Sequence, residues 1–235
     1  MRRRPSTQPF CKGLFFVLAK HAKIIHNFYM ENLKEQLEGY CLYLKLVQER
    51  IIDKSFKEQA PYICCKEGCS HCCERGQYPV SEIEVRYIML KFAELDEAKK
   101  TQILDNIQKI INEKKNKNIS SKDYFYQCPF LLDKKCSVYE NRAIICRTHG
   151  LMFFVDEANG SEKYKIPFCV NLGLNYSNVY DKDSKTVTEE AAKIIGAEIP
   201  PQAYNLSLKT LTKKEITEHL GFEFGEIKPL VEWFM

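Results

Sequence analysis

The cysteines are the residues of this sequence whose type and spacing could do chemistry. The chain of 235 residues has eleven, and seven of them lie in the segments 64–73 and 128–136. A secreted protein would spread an even number through a small fold, whereas an odd, clustered set indicates metal binding or redox chemistry. Eight cysteines are therefore predicted metal ligands, with structural disulfides or inert core thiols as the weaker alternatives. They are Cys65, Cys69, Cys72, Cys73, Cys128, Cys136, Cys146 and Cys169.

The segment 65–73 carries four of these cysteines at close spacing. Thiolates three or four positions apart in a tight loop can converge on one centre, which is why such knuckles serve both zinc and iron–sulfur sites. Gly68 suits the turn, because it can take a positive φ. We expect the neighbouring side chains of Cys72 and Cys73 to diverge, which favours a multi-iron cluster or two sites over a single zinc ion.

The other four predicted ligands are too widely spaced for a second zinc knuckle, so the fold must bring them to the first group. Arg142 and Arg147 flank Cys146, and a guanidinium near thiolates or sulfide would offset negative charge and tune a reduction potential. Tyr139 and His71 are further candidates for the surroundings of the metal. Packing is an equal alternative for Tyr139 and Arg147, and Cys41 is predicted to be a buried small hydrophobic residue.

Hydrophobic periodicity predicts helices on both sides of the first cysteine segment. Apolar residues at three- and four-residue steps over 31–58 predict an amphipathic helix, with both Ile51 and Ile52 among its apolar positions. A capping box at Ser81–Glu84 predicts the start of a second helix. Asp96 is a candidate cap for a third helix, whose apolar face would include Leu104.

Shorter signals predict the remaining elements. The segment 120–136 is predicted to be a loop. Strands at 151–155 and 163–168 flank Asn159-Gly160, which is typical of a β-hairpin, and Cys169 would end the second strand. Short helices are predicted at 139–146, 188–195 and 213–220.

These elements predict a mostly α fold with a small β-hairpin, in a single globular domain built around a cysteine-ligated metal site. The length is within the range of one domain. The predicted parts are an N-terminal extension at 1–29, which is dispensable if Met30 is the true start, a helical arm at 30–60, a cysteine-cluster domain at 61–175, and a C-terminal helical part of the same domain at 176–235.

Composition limits the partners and the location of the protein. A formal charge of +4 without a concentrated basic face argues against a nucleic acid partner. The apolar run at 13–19 only weakly resembles a signal peptide, and no stretch reaches the roughly 20 apolar residues that span a bilayer. We therefore expect a soluble, cytoplasmic protein with no membrane partner, acting with an unidentified protein or small molecule.

The cysteine blocks resemble a known family. They are similar to the YkgJ-type cysteine-cluster proteins, a zinc- or iron-chelating CxxCxxCC domain family, and flagellin lysine N-methylases carry a related cysteine pattern. The resemblance covers about residues 61–170, and it implies metal chelation. Two departures are the spacing from Cys65 to Cys69, which leaves Cys64 as an alternative first ligand, and Ala143, where the family often has proline. The blocks are 68–73, Cys128-Pro129-Phe130-Leu131, 136–140 and Cys146-Arg147.

Three functions follow as hypotheses. The first is a protein with an iron–sulfur cluster that supports electron transfer or an unassigned oxidoreductase or modification reaction, which leaves enzymatic activity open. The alternative is a zinc-binding structural or interaction module without catalysis. The third is an enzyme like a protein lysine methylase, although the sequence has no glycine-rich nucleotide-binding fingerprint.

Overall fold

The structure is a computed structural model that describes residues 25–117, 124–156 and 162–235. Most of the predicted extension at 1–29 and the Asn159-Gly160 turn lie outside the described residues. The α-helices are α1 (Ile25–Val47), α2 (Asp53–Glu58), α3 (His71–Glu74), α4 (Glu82–Glu94), α5 (Glu97–Lys117), α6 (Ile144–Thr148), α7 (Glu189–Ile194), α8 (Leu208–Leu211) and α9 (Lys214–Thr217). Short 3₁₀ helices lie at Ala60–Tyr62, Tyr139–Asn141, Phe168–Leu172, Glu218–Leu220 and Leu230–Phe234.

The strands form antiparallel pairs, β1 with β8, β2 with β3, β4 with β5 and β6 with β7. Helical residues outnumber strand residues several-fold, so the prediction of a mostly helical fold is confirmed. The predicted hairpin is the β4–β5 pair. The other three pairs were not predicted, because strands of two or three residues are too short to show an alternating pattern. The strands are β1 (Pro79–Ser81), β2 (Leu131–Leu132), β3 (Lys135–Cys136), β4 (Phe153–Asp156), β5 (Glu162–Lys165), β6 (Tyr180–Asp181), β7 (Thr186–Val187) and β8 (Ile227–Pro229).

The N-terminal helical segment is interrupted by one π-helical turn, Gln48–Ile52, which joins α1 to α2. Tyr40 is fully buried and packs edge-on against Tyr87 of α4, with ring centroids 5.4 Å apart. The predicted inward position of Ile51 is wrong, because 38% of this residue is exposed while Ile52 is fully buried. A π turn adds a residue to the helical repeat, and that rotates the buried face by one position.

Helices α4 and α5 begin where the capping residues predict. The Ser81–Glu84 capping box is present, and the backbone N–H of Lys99 donates to Asp96 Oδ1 at 2.9 Å. The expected inward position of Leu104 is wrong, since it is 51% exposed beside the fully buried Ile103. Neighbouring helical residues point about 100° apart, so only one of the two can lie at the centre of the buried face.

The predicted loop at 120–136 is wrong at its end, where β2 and β3 form a hairpin. Its turn residues Asp133 and Lys134 have φ of 47° and 59°, as a tight two-residue turn requires, without the Asn-Gly sequence that marks such turns. The predicted helix at 139–146 is a 3₁₀ turn followed by α6. Cys169 lies in the 3₁₀ helix Phe168–Leu172 and not at the end of a strand.

The C-terminal residues close the core that carries the cysteines. The Leu230 N–H donates to the Tyr78 carbonyl at 2.8 Å, and the Trp233 indole donates to the Val80 carbonyl at 3.2 Å. Leu230 is buried in the same apolar cluster as Cys128. Within the described residues, none of the helices combines the length and the apolar character needed to cross a bilayer.

Candidate metal centre

The first cysteines lie on a tight loop that leads into α3. The Cys69 N–H donates to the Lys66 carbonyl at 3.0 Å, which closes a turn where Gly68 has φ of 84°. This left-handed conformation is accessible to glycine without strain. The Ser70 carbonyl then accepts a 2.7 Å hydrogen bond from Cys73. The cysteines of this segment are therefore held on consecutive turns of the chain.

A backbone hydrogen bond joins the two cysteine segments. The Cys128 N–H donates to the Cys73 carbonyl at 2.8 Å. In the β2–β3 hairpin Cys136 lies opposite Leu131, whose N–H donates to the Cys128 carbonyl at 3.0 Å. The hairpin thus returns the chain to Cys128, and it places Cys136 beside the first segment.

A buried carboxyl group positions the helix that carries Cys146. The Ile144 N–H, in the first turn of α6, donates to Glu84 Oε1 at 2.8 Å, and Glu84 Oε2 accepts from the N–H and hydroxyl of Ser81. Burial raises the pKa of Glu84 above its ordinary value, although these hydrogen bonds oppose the rise. One side chain therefore caps α4 and α6 together.

The thiols interact with one another across the whole set. Burial raises the pKa of Cys128 well above its ordinary value, and Cys146, Cys136 and Cys72 contribute to the rise. Burial likewise raises the pKa of Cys146 to about 12, again with contributions from Cys136 and Cys72. Together with the backbone hydrogen bond from Cys128 to Cys73, these mutual effects indicate that the four thiols lie in one region.

The same reasoning connects the remaining cysteines to this region. Burial raises the pKa of Cys169 to about 11, with contributions from Cys65, Cys69 and Cys72. The eighth predicted ligand, Cys73, contacts Cys72 directly. All eight predicted cysteines are therefore linked to Cys72 directly or through one neighbour. We call this set the cysteine cluster.

Asn175 fastens the start of the cysteine cluster to the turn after α6. Its Nδ2 donates to Cys65 Sγ at 3.1 Å and to the Gly150 carbonyl at 2.9 Å, while its Oδ1 accepts from the Cys64 N–H at 2.8 Å. Gly150 has φ of 100°, and a Cβ there would lie 2.7 Å from Asn175 Nδ2 and 3.0 Å from Cys65 Sγ. Only glycine allows this close approach.

The expected divergence of Cys72 and Cys73 is wrong. Their Sγ atoms lie 3.9 Å apart, close to the roughly 3.8 Å that separates two sulfurs on one tetrahedral zinc with Zn–S bonds of about 2.3 Å. The pair can approach because the main chain of α3 is a single tight turn. The vicinal pair by itself therefore does not argue against zinc.

Two buried nitrogen atoms beside the cysteine cluster have no hydrogen-bond partner among the described residues: Arg142 Nε and His149 Nε2. The guanidinium of Arg142 lies over the Tyr139 ring, with its Cζ 3.9 Å from the ring centroid. Burial lowers the pKa of His149 to about 4, and the charge of Arg142 lowers it further, so the imidazole is neutral near pH 7. Such unpaired buried atoms are rare in native proteins.

The four residues predicted to surround the metal have different environments. Arg147 donates to the carbonyls of Arg142 and Glu140 and to Gln48 Oε1, so its donors hold the chain around α6. Tyr139 is 58% exposed beneath Arg142. His71 Nδ1 lies 3.1 Å from Glu74 Oε2, in an exposed ion pair of its own helical turn. Arg142 is the one whose buried donor lacks a partner in the described structure.

The remaining described cysteines differ from the cluster in setting. Cys41 is partly buried and packs against the apolar core around α1. Cys64 is exposed, whereas the adjacent Cys65 is partly buried and bonded to Asn175. These environments favour Cys65 as the first ligand. Cys11 lies outside the described residues.

The donor set fits a metal chemically. Four thiolates bind one zinc ion or one iron–sulfur cluster, so eight thiols supply two such sets. In the part of the chain that the structure describes, no three Cys, His, Asp or Glu side chains form a closed metal site. The role of these residues as ligands is therefore a prediction, for which the unpaired Arg142 Nε and His149 Nε2 are independent support.

Sequence reasoning missed several residues of this region. The sequence placed Glu84 in a capping box, which the structure confirms. It did not indicate that Glu84 also accepts a hydrogen bond from Ile144, 60 positions further along the chain. Asn175 and Gly150 carried no signal, since single asparagines and glycines are common in loops.

The cysteine pattern and its surroundings define a cysteine-rich domain. Residues 64–170 match the model of the CxxCxxCC family, described as "Putative zinc- or iron-chelating domain". The matched segment is a little under half of the chain. It contains all eight members of the cysteine cluster, so the segment resembles this family in the residues that could chelate zinc or iron. No curated protein and no solved structure matches the chain.

Proposed function

We propose that the cysteine cluster holds iron with inorganic sulfide, and that the resulting centre supports electron transfer or an oxidoreductase or modification reaction. The observation that carries the proposal is that the fold joins cysteines from separate parts of the sequence: the Cys128 N–H donates to the Cys73 carbonyl at 2.8 Å, and Cys73 Sγ lies 3.9 Å from Cys72 Sγ. One tetrahedral zinc ion uses four thiolates at most. A multi-iron centre, or two centres, uses the whole set.

Local charge is consistent with this proposal. Thiolates and sulfide concentrate negative charge in a partly buried region, where an uncompensated charge is costly. The charge of Arg142 opposes the rise that burial causes in the pKa of Cys136 and of Cys146. Its unpaired Nε–H is available to donate to a thiolate or a sulfide, and such hydrogen bonds shift reduction potentials.

A zinc-binding structural module is the second candidate, and one observation favours it. The 3.9 Å between Cys72 Sγ and Cys73 Sγ is near the sulfur–sulfur spacing around tetrahedral zinc. Zinc would fasten the loop at 65–73 to the hairpin and to α6, and its binding energy would contribute to folding. Both candidates predict bound metal, and they differ in iron, sulfide and colour.

Anaerobic purification tests the proposal, because thiolates also bind zinc tightly and a protein exposed to air can exchange lost iron for zinc. Iron, acid-labile sulfide and zinc are measured per chain, and the visible spectrum is recorded before and after dithionite. We expect a brown protein that contains iron and sulfide and bleaches on reduction. A colourless protein with stoichiometric zinc and no sulfide would establish the zinc module instead. A protein that binds neither metal would refute both candidates.

A further inference from the structure

We propose that His149 Nε2 is a nitrogen ligand of the metal held by the cysteine cluster, so that the site is not all-thiolate. The inference rests on the proposed function, because it assumes that the cluster binds a metal. It assigns a role to a residue outside the eight cysteines.

The first argument is the unpaired state of the atom. His149 Nε2 is inaccessible to solvent and has no hydrogen-bond partner among the described residues. Leaving such a buried group unpaired is energetically costly. Native structures satisfy nearly all buried polar atoms, and a bound metal ion would satisfy this one.

The second argument is position. His149 directly follows α6, three residues after Cys146, and its neighbour Gly150 approaches Cys65 Sγ so closely that a Cβ would lie 3.0 Å from the sulfur. The imidazole also packs edge-on against the Tyr78 ring at 6.3 Å, and the Tyr78 hydroxyl donates to the Cys72 carbonyl at 2.8 Å. His149 therefore lies close both to α6, which carries Cys146, and to the segment 65–73.

The third argument is chemistry. A neutral imidazole offers the lone pair of one ring nitrogen, and imidazole binds both zinc and iron in thiolate-rich sites. Because the ligand is neutral, it adds no negative charge to a region that already holds eight thiols. His71 provides a contrast, since it is exposed and its Nδ1 is paired with Glu74.

X-ray absorption at the edge of the bound metal tests the assignment. The spectra are compared for the anaerobically purified wild type, His149→Ala, His149→Gln and His71→Ala, with metal content measured on each. We expect outer-shell imidazole scattering in the wild type and in His71→Ala. In both His149 variants this scattering should be lost, and the metal affinity should fall about tenfold or more.

The outcomes separate the inference from the proposed function. A wild type that binds metal with sulfur scattering alone would refute the role of His149 and leave the cluster proposal intact. Imidazole scattering that persists in folded His149→Ala or His149→Gln would also refute it, and would point to a buried water at Nε2. A wild type without metal would overturn the proposed function and this inference with it. If both His149 variants fail to fold, an absence of imidazole scattering in the wild type still refutes the assignment, and its persistence in His71→Ala, His219→Ala and a double His21→Ala/His26→Ala variant supports His149.

Discussion

The Glu84 carboxylate accepts a 2.8 Å hydrogen bond from the backbone N–H of Ile144, 60 residues further along the chain. The same carboxylate closes the capping box of α4 through Ser81. Helix α4 and the helix that carries Cys146 therefore share one buried acid, and the position of Cys146 depends on a residue outside the cysteine cluster.

This arrangement predicts a pH dependence of stability. Burial raises the folded-state pKa of Glu84 above the ordinary 4.5, so its contribution is greatest below pH 4.5 and is lost as the pH rises through the raised value. The free energy of unfolding of the metal-free, reduced wild type should fall, relative to Glu84→Gln, as the pH rises above 4.5. The slope is at most about 1.4 kcal/mol per pH unit.

Urea unfolding over a pH series measures this difference, and Glu223→Gln, which changes an exposed carboxyl, is the control. Parallel curves for the wild type and Glu84→Gln would contradict the prediction. Because the comparison is between variants, titration of the other groups cancels.

Substitution of the vicinal pair should remove metal. We expect Cys72→Ser and Cys73→Ser to lower the metal bound per chain, because the two Sγ atoms lie 3.9 Å apart within the proposed ligand set. Cys41→Ser should retain full metal content, since Cys41 packs in the core around α1. Elemental analysis of anaerobically purified variants measures this. Equal metal content in Cys72→Ser, Cys73→Ser and Cys41→Ser would refute the assignment of Cys72 and Cys73 as ligands.

Adjacent cysteines provide a second matched pair. Cys65→Ser should lose metal, whereas Cys64→Ser should not, because Cys64 is exposed and Cys65 is bonded to Asn175 beside the cluster. The two variants differ by one position and make the same chemical change. The reverse result would identify Cys64 as the first ligand.

Replacement of Gly150 by alanine should lower the stability of the protein by more than the strain of its positive φ accounts for. Gly196 also has a positive φ, 69°, but a Cβ there meets nothing within 4 Å. We expect Gly196→Ala to lose about 1–2 kcal/mol of stability from backbone strain. Gly150→Ala should lose more, and also metal, because its Cβ would collide with Asn175 and Cys65 Sγ. Thermal unfolding and metal analysis compare the two, and equal losses would contradict the proposed close approach.

Local signals in the sequence predicted local structure well. The capping residues Ser81 and Asp96 mark helix starts that the structure confirms, because a cap acts within a single turn. The β2–β3 hairpin was missed, since Asp133 and Lys134 adopt a turn that usually contains glycine. Ile51 was misplaced because nothing in the sequence announces a π turn.

The contacts of the candidate site, which join residues far apart in the sequence, could not be predicted from local signals. The clustering of cysteines indicates metal chemistry from the sequence, and the family match over 64–170 agrees. The contacts that position them, such as Glu84 with Ile144 and Asn175 with Cys65, join residues 60 and 110 positions apart. No periodic pattern encodes such pairs, because they arise from the packing of whole elements.

The pairing of β8 with β1 has a consequence for how the protein is made. All eight members of the cysteine cluster precede Ile227 in the chain, so a ribosome synthesises them before the strand that covers Tyr78 and Val80. Non-local contacts of this kind form late. The nascent thiols would then stay accessible to oxidants and to metal donors until residues 227–234 emerge. Rapid alkylation of ribosome-bound chains that end at Glu226 would show this, and thiols already protected at that length would contradict it.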